Sequence, residues 1–401
     1  MAGAPTFGAF STVRPVRPTE AWAVSRGLCW IAGVSAVLVV GTNAPHDPLR
    51  LTTPFGDLGN KLVAPAARWD AAWFLWIADH GYVIPRATQF YPLYPLAARV
   101  VGTPFGSSLV GGVVVSLAGL LAGLVLLERL VRLELGELAA RRTTLLLAFF
   151  PTAVFFSAVY SEGLFLGLSI GAFYAARLGR WSWAGLAAGL ATLARPTGFL
   201  LIVPLIVLYL YGPRPGEASR DPERRSRPRH RLRPDALWAL AVPAAFAGYA
   251  AYAGDRFNDA FVLLRQGAAW HLGFTFPLVT VVRATGRAAS GAAQLVHGHA
   301  PRNVYEFAFF LLATAGAIGA LRRLPLAYGS YAAAGVLFLL CFPVGGASLR
   351  SFSRYMSPFF PILMWIALWA GERRVYRPLL AAFAMLMVVN AARFATWHFV
   401  A

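Results

Sequence analysis

Charge is scarce in this chain. Only 13% of its 401 residues are Asp, Glu, Lys or Arg, where a soluble domain carries about 25%. With 58% hydrophobic residues and a mean hydropathy of +0.59, a water-soluble globular fold is excluded. Lysine is almost missing, Lys61 being the single one. Cysteine is limited to Cys29 and Cys341, both inside apolar runs. That excludes a disulfide framework and a cysteine metal centre, and leaves small core residues. The period-2 alternation of an outer-membrane barrel is not seen. There is no P-loop, no Gly-x-Gly-x-x-Gly before a strand, no His-Glu-x-x-His, no Gly-x-Ser-x-Gly and no EF-hand type of calcium loop. No internal repeat is visible, which counts against a symmetric transporter.

Apolar runs of about 15–25 residues recur instead, separated by Arg or Pro/Gly clusters, the pattern of a polytopic helical membrane protein. The formal net charge is +19, nearly all of it arginine. In a soluble protein this would suggest nucleic acid. In a membrane protein, cationic loops on the cytoplasmic side set topology, and clustered Arg there can touch anionic headgroups. High Ala and Arg point to a GC-rich genome and so to a bacterium.

Hydropathy predicts a first span at 22–41, with Arg26 near its inner end. Further spans follow at about 107–129, 143–160, 163–178, 182–195, 198–212, 236–254, 303–321, 325–344, 356–371 and 378–397. The basic stretches Glu128–Arg142, Arg177–Arg180, 214–233, Arg322-Arg323 and Arg373–Arg377 all fall on one side if about 11 spans start inside. Residues 1–21 then form a cytoplasmic tail. Residues 22–212 form an N-terminal transmembrane module with a catalytic external loop at 42–106. Residues 213–235 form a basic cytoplasmic loop, and 236–401 a C-terminal module. The expected location is the plasma membrane.

The external pieces hold the polar residues that topology does not explain. In Arg68-Trp69-Asp70-Ala71-Ala72-Trp73, a helix over Ala66–His80 would place Trp69, Trp73 and Trp76 on one face, with Gly81 as its stop. Such a tryptophan stripe lies in the membrane interface. Asp70 then sits about 100° from Trp69, at the stripe's edge, and Asp79 about 180° from Asp70. In Gln89-Phe90-Tyr91-Pro92-Leu93-Tyr94-Pro95-Leu96 two prolines argue against a regular helix, so Tyr91 and Tyr94 are expected on a stiff loop. Their rings suit sugar stacking or an interfacial belt.

Ser161-Glu162 reads as a helix cap with a first-turn acid, or as a Glu162 that faces an external cavity. Arg195-Pro196-Thr197-Gly198 breaks an apolar run, and an arginine at such depth is either a snorkelling cation or a phosphate ligand. Arg350, Arg354 and Tyr355 lie outside, against the positive-inside trend, which suggests an anionic ligand. Gln266 and Trp270 stand one turn apart on an external amphipathic stretch, suited to a polyol.

The ordered set Arg-Trp-Asp-x-x-Trp with Gly81-Tyr82, Phe90-Tyr91-Pro92-Leu93-Tyr94-Pro95, Tyr160-Ser161-Glu162, Arg195-Pro196-Thr197-Gly198 and Arg354-Tyr355 before Phe360-Pro361 resembles the PIG-V mannosyltransferase family of GT-C glycosyltransferases. The resemblance covers roughly residues 65–365. It implies an all-α GT-C-like bundle and inverting transfer of mannose from a polyprenyl-phosphate donor to an extracytoplasmic glycan or glycolipid. Asp70 would be the general base and Glu162 a second catalytic acid. Arg195, Arg354 and Arg68 would bind the donor phosphate. Trp69, Trp73, Tyr82, Tyr91, Tyr94, Gln266, Trp270 and Tyr355 would line the substrate site. No cofactor is certain, no metal ligands are identified, and the implied mechanism does not require a divalent metal. Two other classes share these features: a transporter or flippase of lipid-linked sugars, and a non-catalytic scaffold of an envelope glycan assembly complex.

Overall fold

The computed structural model describes residues 16–47, 49–216, 230–295, 302–344 and 348–400. Residues 1–15 of the tail and most of the basic loop lie outside the described residues. The described part is helical without strands, so the all-α polytopic bundle expected from hydropathy is borne out. Pro18–Val39, Ser108–Leu135, Pro234–Phe257, Arg302–Arg323 and Tyr376–Ala395 are long and apolar enough to cross a membrane. Glu162–Arg177, Trp181–Ala194, Leu326–Cys341 and Phe360–Glu372 are shorter helices beside them. One hydrophobic core runs through both halves of the chain.

The Ser108–Leu135 helix shows how sequence sets an element. The Ser107 hydroxyl accepts from the Val110 N–H at its start, and Gly136 at φ +86° ends it. Its 28 residues give about 42 Å, more than the hydrocarbon thickness. Small residues let it approach Glu162–Arg177 closely: a Cβ added to Gly119 would stand 2.6 Å from the Gly163 carbonyl.

The expected span at 143–160 is not one helix. Glu137–Ala148 ends early, and the chain runs irregularly through Pro151 and a short 3-10 turn at Ala153–Phe156. Irregular backbone at membrane depth is tolerated only where its polar groups are satisfied internally. Arg26 does this. It is not an inner-end topology charge but is buried, donating to Ala153 O at 2.6 Å, Ala148 O at 2.8 Å and Ser157 Oγ at 2.9 Å. Asn390 donates to Pro151 O at 2.9 Å, and the Val159 N–H to Ala66 O at 2.9 Å.

The bundle has two chemically different ends. At one end Arg177 pairs with Glu134 at 2.6 Å, Arg323 with Glu372 at 2.5 Å, and Arg142 stacks on Tyr376 at 5.3 Å. At the other end the 42–106 segment folds into the short helices Asp57–Leu62, Ala71–His80 and Leu93–Gly102. The Val262–Ala269 helix lies beside them, where Gln89 donates to Leu263 O at 2.9 Å.

Candidate active site

Asp70 immediately precedes the Ala71–His80 helix, whose N-terminus is set by a turn at Trp69. Trp69 has φ +54°, rare for a bulky residue. Its ring is fixed by His46 at 4.5 Å, Phe399 at 5.5 Å and Trp397 at 5.6 Å. The expected helix over Ala66–His80 therefore starts five residues late, and Trp69 leaves the tryptophan stripe. Trp73 remains on the helix, stacked on Phe90 at 5.5 Å and edge-on to Trp270 at 5.6 Å.

The Asp70 carboxylate does not cap its own helix. Oδ2 accepts from Arg354 Nη1 at 2.8 Å, while Oδ1 has no partner among the described residues. The Asp70 N–H donates to the Tyr160 hydroxyl at 3.1 Å, and that hydroxyl donates to Arg68 O at 2.9 Å. Position and orientation are thus set separately, by Tyr160 on the backbone and Arg354 on the side chain.

Arg354 is also bound through Nε to Glu162 Oε1 at 2.5 Å, and the same oxygen accepts from Arg195 Nη1 at 2.6 Å. The result is a chain of alternating charge: Asp70, Arg354, Glu162, Arg195. Glu162 has no exposed surface, and both arginines are 6% exposed. The Asp70 side chain is 34% exposed, so it is the member that meets solvent. Burial alone would lower the Arg354 pKa, but Glu162, with Tyr355 and Asp70, raises it well above the usual arginine value. The Arg354 guanidinium also lies over the rings of Tyr160, Phe155 and Tyr355 at 4.5, 4.8 and 5.1 Å.

Local sequence explains how each charge arrives. Pro196 cannot continue the Trp181–Ala194 helix, so Arg195 is extended at its end and turns to Glu162 and Ser161. Arg354 is on a one-turn helix, Phe352–Met356, entered through Ser351 at φ +61°. Its neighbour Ser353 is pinned on both backbone groups: its N–H donates to Glu306 at 2.8 Å, and its carbonyl accepts from Thr152 at 3.1 Å.

Other expected site residues are placed differently. The expectation that Glu162 faces an external cavity is not met, since it is enclosed. Arg195 and Arg354, expected as phosphate ligands, already have carboxylate partners. Arg68 is buried, donating to the carbonyls of Ala64, Ala67 and Ala395 and stacking on Trp397. Burial pushes its pKa down to about 10, against the attraction of Asp47.

Tyr94 lies in the Leu93–Gly102 helix rather than on a stiff loop, because Pro92 and Pro95 fall at the helix start, where no N–H is needed. Its hydroxyl is buried, donating to Gly112 O at 2.9 Å with Ser116 Oγ at 2.8 Å. Tyr82 and Tyr91 pack with Tyr249, and burial raises both pKa values. Tyr355 stacks under Arg195 at 5.2 Å. Trp270 joins Trp73 and Phe90, and its indole N–H donates to Arg86 O at 3.3 Å. Gln266 lies one turn before Trp270 on the Val262–Ala269 helix.

Sequence reasoning passed over Tyr160 itself, although its motif was visible. It also missed Trp397 and Phe399, which reach Trp69 from the far end of the chain and carry no local signal.

Residues 42–209 match the family described as mannosyltransferase (PIG-V). Among similar proteins, GPI alpha-1,6-mannosyltransferase 2 of Cricetulus griseus is 35% identical over 155 residues, 35% of this chain and 31% of that one. GPI mannosyltransferase 2 of Yarrowia lipolytica is 26% identical over 147 residues, 37% of this chain and 41% of that one. The match thus spans about a third of the length of these curated relatives. The crystal structure of ArnT from Cupriavidus metallidurans bound to undecaprenyl phosphate superposes with a TM-score of 0.54 at 14% identity, covering 95% of this chain and 76% of that one. At that identity the likeness establishes the fold.

Proposed function

From a chain whose residues 42–209 carry the PIG-V mannosyltransferase signature on a fold shared with ArnT, we propose a membrane glycosyltransferase that moves mannose from a polyprenyl-phosphate donor to an extracytoplasmic glycan or glycolipid. The observation that carries this reading is the partly exposed Asp70 carboxylate, fixed by a buried chain of three charges at the aromatic-rich end. The undecaprenyl phosphate named with the ArnT structure supports the donor class.

The reaction needs a base and a leaving group. The acceptor hydroxyl attacks the anomeric carbon, forming the new glycosidic bond as the bond to the phosphate oxygen breaks. The acceptor proton passes to Asp70, and the lipid phosphate leaves with the bonding pair. The free Oδ1 suits the proton, while Arg354 keeps the carboxylate aimed. Glu162 and Arg195 act through Arg354 as positioning residues. Trp73, Gln266 and Trp270 remain binding candidates for the acceptor, while Tyr82, Tyr91 and Tyr355 are buried or packed against neighbouring side chains. The active end lies outside the plasma membrane, in keeping with the basic loops at the other end.

The test is turnover of polyprenyl-phosphate mannose by the purified protein in detergent micelles. Transfer to a glycolipid acceptor supports the reading. Bidirectional movement of an intact lipid-linked sugar across vesicles without cleavage would replace it by the flippase.

A further inference from the structure

The expected phosphate ligands Arg195 and Arg354 are held by Glu162 and Asp70, so a lipid phosphate needs other cations. Two are present beside the site. Arg302 opens the Arg302–Arg323 helix, and Arg350 lies in the turn before the Arg354 segment. Their guanidinium groups lie 4.8 and 4.9 Å from the ring centroid of the same residue, Phe399. The two charges are therefore within about 10 Å of each other. Both side chains are exposed, and neither has an ion pair or side-chain hydrogen bond among the described residues.

The acid nearest in sequence, Glu306, forms an ion pair with neither. It is 2% exposed and accepts from the Ser353 N–H. A third cation, Arg393, donates to Phe399 O at 3.4 Å. Two arginines on one aromatic ring and a third on the same residue's carbonyl, none of them in an ion pair among the described residues, concentrate positive charge there. The ring contacts Trp69 at 5.5 Å, and Trp69 precedes Asp70. The arginines are therefore joined to the Asp70 segment through Phe399 and Trp69.

We propose that Arg302 and Arg350, held across Phe399, bind the phosphate group of a lipid at the membrane interface beside Asp70. The planar guanidinium forks match phosphate oxygens in pairs, and Phe399 and Trp69 offer apolar surface to the first carbons of the chain. Two sources share this chemistry: the donor's polyprenyl phosphate, and the headgroup of a bulk anionic phospholipid. As a donor site, the assignment rests on the proposed function.

The experiment measures binding of undecaprenyl phosphate by calorimetry in neutral detergent to the wild type, Arg302→Ala, Arg350→Ala and the Lys variants. Binding of phosphatidylglycerol vesicles is measured in parallel. Each Ala variant is expected to weaken one of the two ligands about 10- to 150-fold at an unchanged melting temperature, with partial recovery by Lys. Loss confined to undecaprenyl phosphate identifies the donor, and loss confined to phosphatidylglycerol identifies the bilayer headgroup. A wild type that binds undecaprenyl phosphate together with Ala variants unchanged towards both ligands overturns the site alone. A wild type without affinity for either ligand overturns the site, and its failure with undecaprenyl phosphate counts separately against the donor reading.

Discussion

Replacing Glu162 by Gln should damage the protein more than replacing any other member of the charged chain. Glu162 is fully enclosed and gives one oxygen, Oε1, to both Arg354 and Arg195. The four groups Asp70, Arg354, Glu162 and Arg195 sum to zero charge. The substitution leaves two buried guanidinium groups sharing the single, partly exposed carboxylate of Asp70. Removing one partner of a buried pair costs about 3–5 kcal/mol, or two to four powers of ten in the folded-to-unfolded ratio.

The same reasoning requires a rescue. Glu162→Gln with Arg195→Gln restores neutrality and keeps Arg354 on Asp70, so the double variant should be more stable than the sum of the singles implies. A coupling of about 1–3 kcal/mol is expected for groups in direct contact. The assay is thermal unfolding in detergent micelles for the wild type, both singles and the double. A Glu162→Gln protein that melts with the wild type, or a double variant whose losses simply add, would refute an electrostatically linked chain.

Asp70→Asn should retain folding but reduce transfer about 10²–10⁴-fold, measured as turnover of polyprenyl-phosphate mannose; near wild-type rates would remove Asp70 as the base. Arg26→Ala should strand the carbonyls of Ala148 and Ala153 and the Ser157 hydroxyl, at about 1–3 kcal/mol for each stranded group. Its melting temperature tests this, and an unchanged value would show that other groups satisfy the break. Gly119→Val should push Glu162–Arg177 away from Ser108–Leu135 and lower activity and stability together; full activity would mean that the close approach is not needed. A single cysteine at Ser226 should label only from the cytoplasmic side of intact cells, and external labelling would invert the topology.

Much of the bundle was legible because hydropathy is a one-dimensional signal and bilayer thickness fixes its length scale. Where hydropathy failed, at 143–160, the cause was tertiary. An apolar stretch can leave the helix when a distant Arg26 satisfies its carbonyls, and no local pattern announces that. Tyr94 was misplaced for a smaller reason: proline forbids the middle of a helix but not its first turn. Trp69 left its stripe because of a left-handed turn stabilised by His46, Trp397 and Phe399. Asp70, Glu162, Arg195 and Arg354 stood out singly, as charges in the wrong solvent. Their mutual pairing was invisible, since Arg354 lies 192 residues from Glu162 and 284 from Asp70.

Those separations have a consequence for how the protein is made. At 5–20 residues per second, the 284 residues between Asp70 and Arg354 take roughly 15–60 s to synthesise. Over the last 159 residues of that interval, once Arg195 has been made, a nascent chain carries Asp70, Glu162 and Arg195 with an excess of one negative charge and no Arg354 to join them. The later helices bring the missing cation, together with the Trp397 and Phe399 rings that hold Trp69. An aimed carboxylate is thus withheld until the Arg354 segment is in place, and a product truncated before Arg354 would insert the preceding helices without assembling the site.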